Sequence, residues 1–237
     1  MTTSHQTDAA GHPVGKTGIP DVLADRLRGR PAPSPAYSWN RGAWTAAIAE
    51  AGVTVSWMEV LPDELDRPIV ARQVKKLMAD GSFCEALALV LIWGYAGTGY
   101  GPQRVKKILT RTGNGPSDVA HRLDQSWQIA TGQNAGQGIV EAYRYLNNRA
   151  AGHIAYLGPS FFTKWLHFAT ADSDSAAPGA APILDEVVRR WLNANTNADL
   201  HASCTTCYGR YIDLLTSWAS GPWTPTRIEE AIFTLPR

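Results

Sequence analysis

From Trp39 onward, apolar residues recur three and four positions apart, which is the spacing of one buried helix face. Only one segment, VTVSWMEV at 53–60, has the composition and spacing of a strand. The pattern therefore predicts an all-α fold with at most a short β element near 53–60. The segments with helical spacing are RGAWTAAIAEAG, RPIVARQVKKLMADG, SFCEALALVLIWGYAG, GPQRVKKILTRTG, SDVAHRLDQSWQIATG, QGIVEAYRYLNNRAAG, PILDEVVRRWLNAN, TTCYGRYIDLLTSWAS and PTRIEEAIFTL.

The N-terminal stretch differs in composition from the rest of the chain. Residues 1–36 are rich in Pro, Gly, Ser and Thr and lack periodic apolar positions, apart from a short candidate helix in PDVLADRLRG. We therefore predict a flexible N-terminal tail or arm over 1–36 and a single helical domain over 37–237. A length of 237 residues suits one domain with a sizeable core.

Charge and hydropathy exclude several classes of protein. Lys and Arg number 22 and Asp and Glu number 21, so the net charge of +1 gives no general attraction to nucleic acid. Any interaction with DNA must therefore depend on local features. The longest apolar run, ALALVLIW at 86–93, is too short to cross a membrane, and the first residues lack the apolar core of a signal peptide. We expect a cytoplasmic protein, without a membrane partner, that is a monomer.

The cysteines and glycines do not indicate a cofactor. Three cysteines are too few for a cluster held by four thiolates, and Cys204 and Cys207 form a lone C-x-x-C without further zinc ligands nearby. We predict reduced, mostly buried thiols and neither metal nor cofactor. The glycine-rich pieces GHPVGKT and GYAGTGYG match neither the phosphate-binding loop nor the G-x-G-x-x-G turn in spacing.

One lysine stands out in the segment LGPSFFTKWLHF at 157–168. On a helix that starts near Ser160, the side chain of Lys164 would lie beside Phe161 and Phe168, which are three positions before it and four after it. Burial disfavours the charged amine and lowers its pKa, as an amine nucleophile requires. The alternative, which is common for a single lysine, is a stem that packs on the aromatic rings with its ammonium in water.

An aspartate opens the helix that follows. In APILDEVVRRWL, Asp185 lies in the first turn of an amphipathic helix that is entered through Pro182. A carboxylate at this position favours the helix dipole and can pair with Arg189 four residues later. Taken alone, this aspartate therefore has a purely structural explanation.

Together, the turn, the lysine and the P-x-x-D helix start resemble the helix-hairpin-helix DNA glycosylase superfamily, in particular its lysine-bearing 8-oxoguanine DNA glycosylase branch. Family members have Leu-Pro-Gly-x-Gly-x-Lys, followed by a Val-Asp helix start. Lys164 matches the lysine, and Asp185, 21 residues on, matches the aspartate. Ser160 and Phe162 replace the hairpin glycines. The resemblance implies a two-lobed helical fold with the helix-hairpin-helix around 140–171.

The resemblance also implies roles for other residues. Lys164 and Asp185 would be catalytic, and the turn would bind phosphate through Gly158, Pro159 and Ser160. Tyr100 or Gln103 would fill the gap left by the extruded base. The expected phosphate contacts on the following helix are Arg104, Lys107 and Arg111, each of which fits a solvated face equally well. The expected walls of the base pocket are Phe168, Trp39 and Trp223, for which core packing is the alternative.

The implied activity is excision of a modified base from double-stranded DNA, with Schiff-base chemistry at Lys164 and AP lyase cleavage. The substrate would be 8-oxoguanine in repair or a hypermodified phage base in antiviral defence, and the sequence does not separate these. Two alternatives from other classes stay open: a non-catalytic helical DNA-binding module and a helical protein-interaction domain.

Overall fold

The computed structural model describes residues 18–95, 97–132, 135–147, 150–171, 177 and 179–236. These residues form an almost entirely helical domain, which confirms the predicted fold class. The α-helices are α1 (Asp21–Leu27), α2 (Arg41–Glu50), α3 (Arg67–Ala79), α4 (Phe83–Tyr95), α5 (Gly101–Thr110), α6 (Pro116–Thr131), α7 (Ala135–Leu146), α8 (Pro159–Thr170), α9 (Glu186–Asn195), α10 (Thr205–Trp218) and α11 (Pro225–Phe233).

Helix starts in this chain have clear local causes. The side chains of Asn40, Asp66 and Thr224 accept hydrogen bonds from backbone N–H groups in the first turns of α2, α3 and α11. Proline occupies the first turn of α3, α5, α6, α8 and α11, where its fixed φ suits the helix and its missing N–H is not needed. These signals explain why the helices begin close to the predicted positions.

Helix α4 is the centre of the core. It is apolar on all sides and buried along most of its length, and it packs against α3, α5, α6 and α8. Helices α6 and α7 pack side by side, and α11 contacts α1, α9 and α10. Among the described residues, no helix is both long and apolar enough to span a membrane.

The predicted strand at 53–60 is wrong. Side-chain burial does alternate from Val53 to Trp57, but the backbone N–H of Met58 bonds to Val55 O and residues Ser56–Met58 form a 3₁₀ helix. The paired strands of the described chain are instead β1 (Tyr37–Ser38) and β2 (Glu64–Leu65), which are antiparallel. Alternation shows which side of a segment faces the core, whereas a strand also needs a partner alongside.

The N-terminal segment packs on the domain where it is described. The short candidate helix is present as α1, with Leu23 fully buried and α1 against α11. The indole of Trp223 also donates a hydrogen bond to Gly29 O at 3.2 Å. Helix α1 and Gly29 therefore pack on the domain, and residues 1–17 of the predicted tail or arm lie outside the described part.

The cysteines correct a second prediction. Cys204 and Cys207 form a disulfide at the start of α10, whereas we expected reduced thiols. The two cysteines are three positions apart at the helix start, which brings their Cα atoms to 5.1 Å. This distance lies within the range that a disulfide can bridge. Cys84 is a free, buried thiol, as expected.

Candidate functional site

Helix α8 places Lys164 inside the protein. The helix starts at the Gly158–Pro159 turn, and Lys164 lies four residues after Ser160, so its amine turns back toward the first turn. Only 8% of the residue is exposed, and Nζ donates a hydrogen bond to Ser160 O at 3.1 Å. Both the stem and the amine of this lysine are therefore buried, and the ammonium does not extend into water.

Asp185 faces this amine from the start of α9. Its Oδ1 accepts hydrogen bonds from the backbone N–H groups of Val187 and Val188, both at 3.0 Å, and so caps the helix. Its Oδ2 lies 3.4 Å from Lys164 Nζ. The alternative partner, Arg189, bonds instead to Glu186 at 2.8 Å. One carboxylate thus fixes a helix and faces the lysine at the same time.

The segment before Asp185 is held from two sides. Tyr208 and Tyr211 of α10 donate their hydroxyl hydrogen bonds to Pro182 O at 2.9 Å and Ile183 O at 2.7 Å. From α8, Thr163 Oγ1 accepts a hydrogen bond from Leu184 N at 3.3 Å. These bonds join α8, α10 and the start of α9, so they set the separation between Lys164 and Asp185.

Burial controls the protonation of the lysine. Desolvation lowers the pKa of Lys164 below its ordinary value, while the nearby charges of Asp185 and Glu229 oppose that shift without reversing it. The neutral amine is consequently more abundant at a given pH than it would be on the surface. This is the protonation state in which an amine can attack carbon.

A cavity open to solvent borders both groups. Among its walls are the aromatic side chains of Tyr37, Trp93 and Phe233, which come from β1, α4 and α11. Its charged lining residues are Arg67, Lys164, Asp185 and Glu230, and the remaining ones are Pro35, Gly94 and Ile183. The lysine and the aspartate therefore lie at the wall of a hollow lined by both aromatic and charged side chains.

Gly94 makes room for the lysine. A Cβ atom at this position in α4 would lie 3.0 Å from Lys164 Cδ and 3.5 Å from Phe161 Cε1. The first distance is closer than ordinary van der Waals contact allows. The close approach of α4 to the lysine stem thus depends on a glycine, a role that the sequence analysis did not assign to it.

Sequence reasoning also missed the acidic pair on α11. Glu229 is fully buried and makes two hydrogen bonds with Arg67, at 2.7 and 2.9 Å. Glu230 lines the cavity, and its Oε1 lies 3.5 Å from Arg67 Nε. The sequence does contain a signal for this pair. Charged residues stand within an apolar helical segment, RIEEAIF, just as Lys164 does in its own helix.

The three aromatic residues predicted to form the base pocket do not line the cavity beside Lys164 and Asp185. Phe168 is in the core, with its ring 5.1 Å from that of Trp93, because one helical turn beyond Lys164 leads away from the cavity. The indole of Trp39 donates a hydrogen bond to Pro62 O at 2.9 Å, and Trp223 packs on the N-terminal segment. Position in the sequence alone could not tell these rings from the ones that line the cavity.

The predicted DNA-binding residues fall into two groups. Arg104 of α5 lies over Tyr100 at 5.6 Å and over Tyr156 at 5.7 Å, and it shares a surface cavity with Gly158 and Pro159. The structure therefore brings the start of α5 next to the turn before α8. The second group lies along α5 and at its C-terminal end, where Gln103, Lys107 and Arg111 are exposed. The buried face of the same helix consists of Val105, Ile108 and Leu109.

Tyr156 was not predicted. It is 48% exposed and its φ is +65°, a conformation that is uncommon for residues other than glycine. Tyr100, the second ring close to Arg104, is 53% exposed. Two exposed aromatic rings around one guanidinium form a surface suited to nucleic-acid bases.

Comparison with known proteins places the chain in a family. Searches of curated proteins and of solved structures give no match. One family model matches residues 31–233, a range that includes Lys164, Asp185 and every residue that lines the cavity. The description of that family is "Putative 8-oxoguanine DNA glycosylase OGG-like protein". Because the match covers most of the 237 residues, the chain belongs to this OGG-like family.

Proposed function

We propose that this protein is a DNA glycosylase that excises a modified base through a covalent intermediate at Lys164. The observation that supports this most directly is the buried Lys164 Nζ, 3.4 Å from Asp185 Oδ2 at the wall of the cavity. Membership of the OGG-like family supports DNA as the partner and 8-oxoguanine as the substrate. Helices α7 and α8, with the turn between them, would be the helix-hairpin-helix element.

In the proposed reaction, the modified nucleotide leaves the stack and its base enters the cavity. Lys164 Nζ then forms a bond to the sugar C1′ while the glycosidic bond breaks, and the base leaves with the bonding electrons and takes up a proton. The nitrogen then loses a proton, the C1′–O4′ bond breaks, and O4′ keeps the bonding electrons and takes up a proton, which leaves a protonated Schiff base between Lys164 and C1′. Asp185 Oδ2 stabilises the positive charge that develops on the sugar and accepts a hydrogen bond from the amine.

The first test is borohydride trapping on duplexes that contain 8-oxoguanine, other lesions or hypermodified cytosines. Reduction of a Schiff base gives a stable protein–DNA adduct, which we expect for the wild type on 8-oxoguanine. Lys164→Gln should give no adduct, whereas the exposed control Lys76→Gln should react like the wild type. A second product, the strand cut by β-elimination, would be read on a denaturing gel.

Failure of this test has distinct meanings. An adduct formed by Lys164→Gln would show that another amine is the nucleophile. Excision without an adduct would indicate a monofunctional glycosylase. The protein could also be folded and bind duplex DNA but excise none of these bases. That result would support the alternative function, a non-catalytic helical DNA-binding module.

The DNA-binding surface is tested separately. Because the net charge is only +1, affinity should depend on a few local cations. Each phosphate contact contributes about −0.9 to the slope of log K against log salt concentration. Replacing Arg104, Lys107 and Arg111 with alanine should therefore flatten that slope by up to about 3. The same substitution of Arg72, Lys75 and Lys76 on α3 is the charge-matched control, and an equal loss in both triple variants would contradict the predicted surface.

A further inference from the structure

Two adjacent acidic residues on α11 have different surroundings. Glu229 is fully buried, and both of its carboxylate oxygens bond to Arg67, at 2.7 and 2.9 Å. Glu230 is held more loosely: its Oε1 lies 3.5 Å from Arg67 Nε, and its Oε2 lies 3.4 Å from Arg227 Nη1. Glu229 uses Nη1 and Nη2 of Arg67, and Arg67 Nε, the group that faces Glu230, stays 3.5 Å from its Oε1.

Glu230 is buried and lacks a proper hydrogen bond at one oxygen. It is 8% exposed and lines the same cavity as Lys164 and Asp185. Its Oε1 has no hydrogen-bond partner among the described residues, and its contact with Arg67 Nε, at 3.5 Å, is longer than an ordinary hydrogen bond. Buried polar atoms without a partner are rare, and one that belongs to a residue lining a cavity is available to a ligand that enters it.

Trp93 supplies the complementary group. It also lines the cavity, and in the described part of the chain its indole N–H is likewise without a hydrogen-bond partner. A carboxylate can only accept hydrogen bonds, and an indole N–H can only donate one. A ligand that satisfies both residues must present N–H donors to Glu230 and an acceptor to Trp93.

Guanine-type bases fit this requirement better than the other bases do. Their pairing edge has a carbonyl oxygen, then a ring N–H, then an amino group, so two adjacent donors can meet the two oxygens of one carboxylate. Adenine and cytosine have an amino group beside an unprotonated ring nitrogen, which a carboxylate repels. Thymine and uracil have a single N–H between two carbonyl groups.

We propose that Glu230 is the specificity-determining residue that recognises the ring N–H and the amino group of a guanine-type base, with Trp93 facing the carbonyl. This inference rests on the proposed glycosylase function. It assigns the choice of base to a residue outside the Lys164–Asp185 pair. Charge-assisted hydrogen bonds to a carboxylate are strong and directional, so loss of one donor should be costly.

The test removes the amino group from the substrate. Wild-type protein is given duplexes with 8-oxoguanine or with 8-oxohypoxanthine, which differ only by that group, and excision is measured in single turnover. We expect the wild type to prefer 8-oxoguanine by about tenfold or more, because a polar site rejects an analogue that leaves its groups unpaired. This comparison needs no variant, so it does not depend on whether a variant folds.

The variant Glu230→Gln then links the preference to this residue. Its amide presents one acceptor and one donor, so the preference should shrink to within about threefold. The control Glu186→Gln, an exposed carboxylate bonded to Arg189 and Arg190, should keep the wild-type preference. Thermal unfolding of each variant separates a loss of stability from a loss of discrimination.

The outcomes distinguish this inference from the proposed function. Equal excision of both bases by the wild type, or an unchanged preference in Glu230→Gln, would overturn the role of Glu230 and leave a glycosylase whose Glu230 only supports Arg67. No excision of either base, or of any other in the panel, would overturn the proposed function and this inference with it.

Discussion

At the scale of single residues, the placement of Lys164 depends on Gly94, a neighbour without a side chain. The lysine stem runs between Phe161 and α4, and Nζ lies 5.5 Å from the centre of the Phe161 ring. The absence of a Cβ at Gly94 lets α4 approach the stem, which keeps the amine desolvated and directed at Asp185. The same packing that lowers the pKa of Lys164 therefore also sets its position.

Gly94→Ala tests this dependence. The added Cβ would lie 3.0 Å from Lys164 Cδ, so the lysine must shift by a few tenths of an ångström or more. We expect single-turnover excision to slow by up to about 100-fold, because small displacements of a nucleophile are costly. Thermal unfolding should show a folded protein, since alanine favours the helix by about 1 kcal/mol over glycine.

A matched control lies on another helix. Gly209 of α10 has room for a Cβ, whose nearest neighbour would be Val140 at 3.8 Å. Gly209→Ala should therefore leave excision unchanged. If both alanine variants excised the base at the wild-type rate, Gly94 would have no role in placing Lys164.

At the scale of elements, the start of α9 combines a helix cap with a contact to α8. Asp185 caps the helix through Oδ1 and faces Lys164 through Oδ2, so one residue serves a local and a long-range purpose. The capping role is common at helix starts and by itself indicates no function. The second role exists only because α8 brings Lys164 to the same place.

Two substitutions separate these roles. Asn caps helices about as well as Asp, so Asp185→Asn should unfold at nearly the wild-type temperature while it loses most of its excision activity. Asp185→Ala should lose the activity and also about 1 kcal/mol of stability, measured by urea unfolding. Wild-type rates in Asp185→Asn would show that the negative charge is not needed for the reaction.

How far the sequence predicts this molecule depends on how local each signal is. Helix starts follow from residues such as Asp66 and Pro159 within one turn, and the anomaly of Lys164 is visible among its immediate neighbours. The walls of the cavity come from Tyr37, Trp93 and Phe233, which are far apart in the chain and meet only after tertiary packing. The sequence contains many aromatic residues, and no local pattern shows which three of them meet at the cavity.

At the scale of the whole molecule, a buried ion pair joins distant parts of the chain. Arg67 at the start of α3 and Glu229 of α11 are 162 residues apart, and their side chains are 5% and 0% exposed. Both charges have left water, which is costly unless each is fully paired. The pair therefore links the position of α11, which carries Glu230 and Phe233 to the cavity, to the core helices.

Removing one partner should be much more damaging than removing both. Arg67→Met leaves Glu229 as an unpaired buried charge and should lower the free energy of unfolding by about 3–5 kcal/mol. The double variant Arg67→Met/Glu229→Met has no unpaired charge at either of these positions and should recover most of that loss in urea unfolding. Its excision activity should stay low, because Arg67 also lines the cavity beside Glu230. If the double variant were as unstable as the sum of the two single variants, the residues would act independently and the pair would not be what couples α3 to α11.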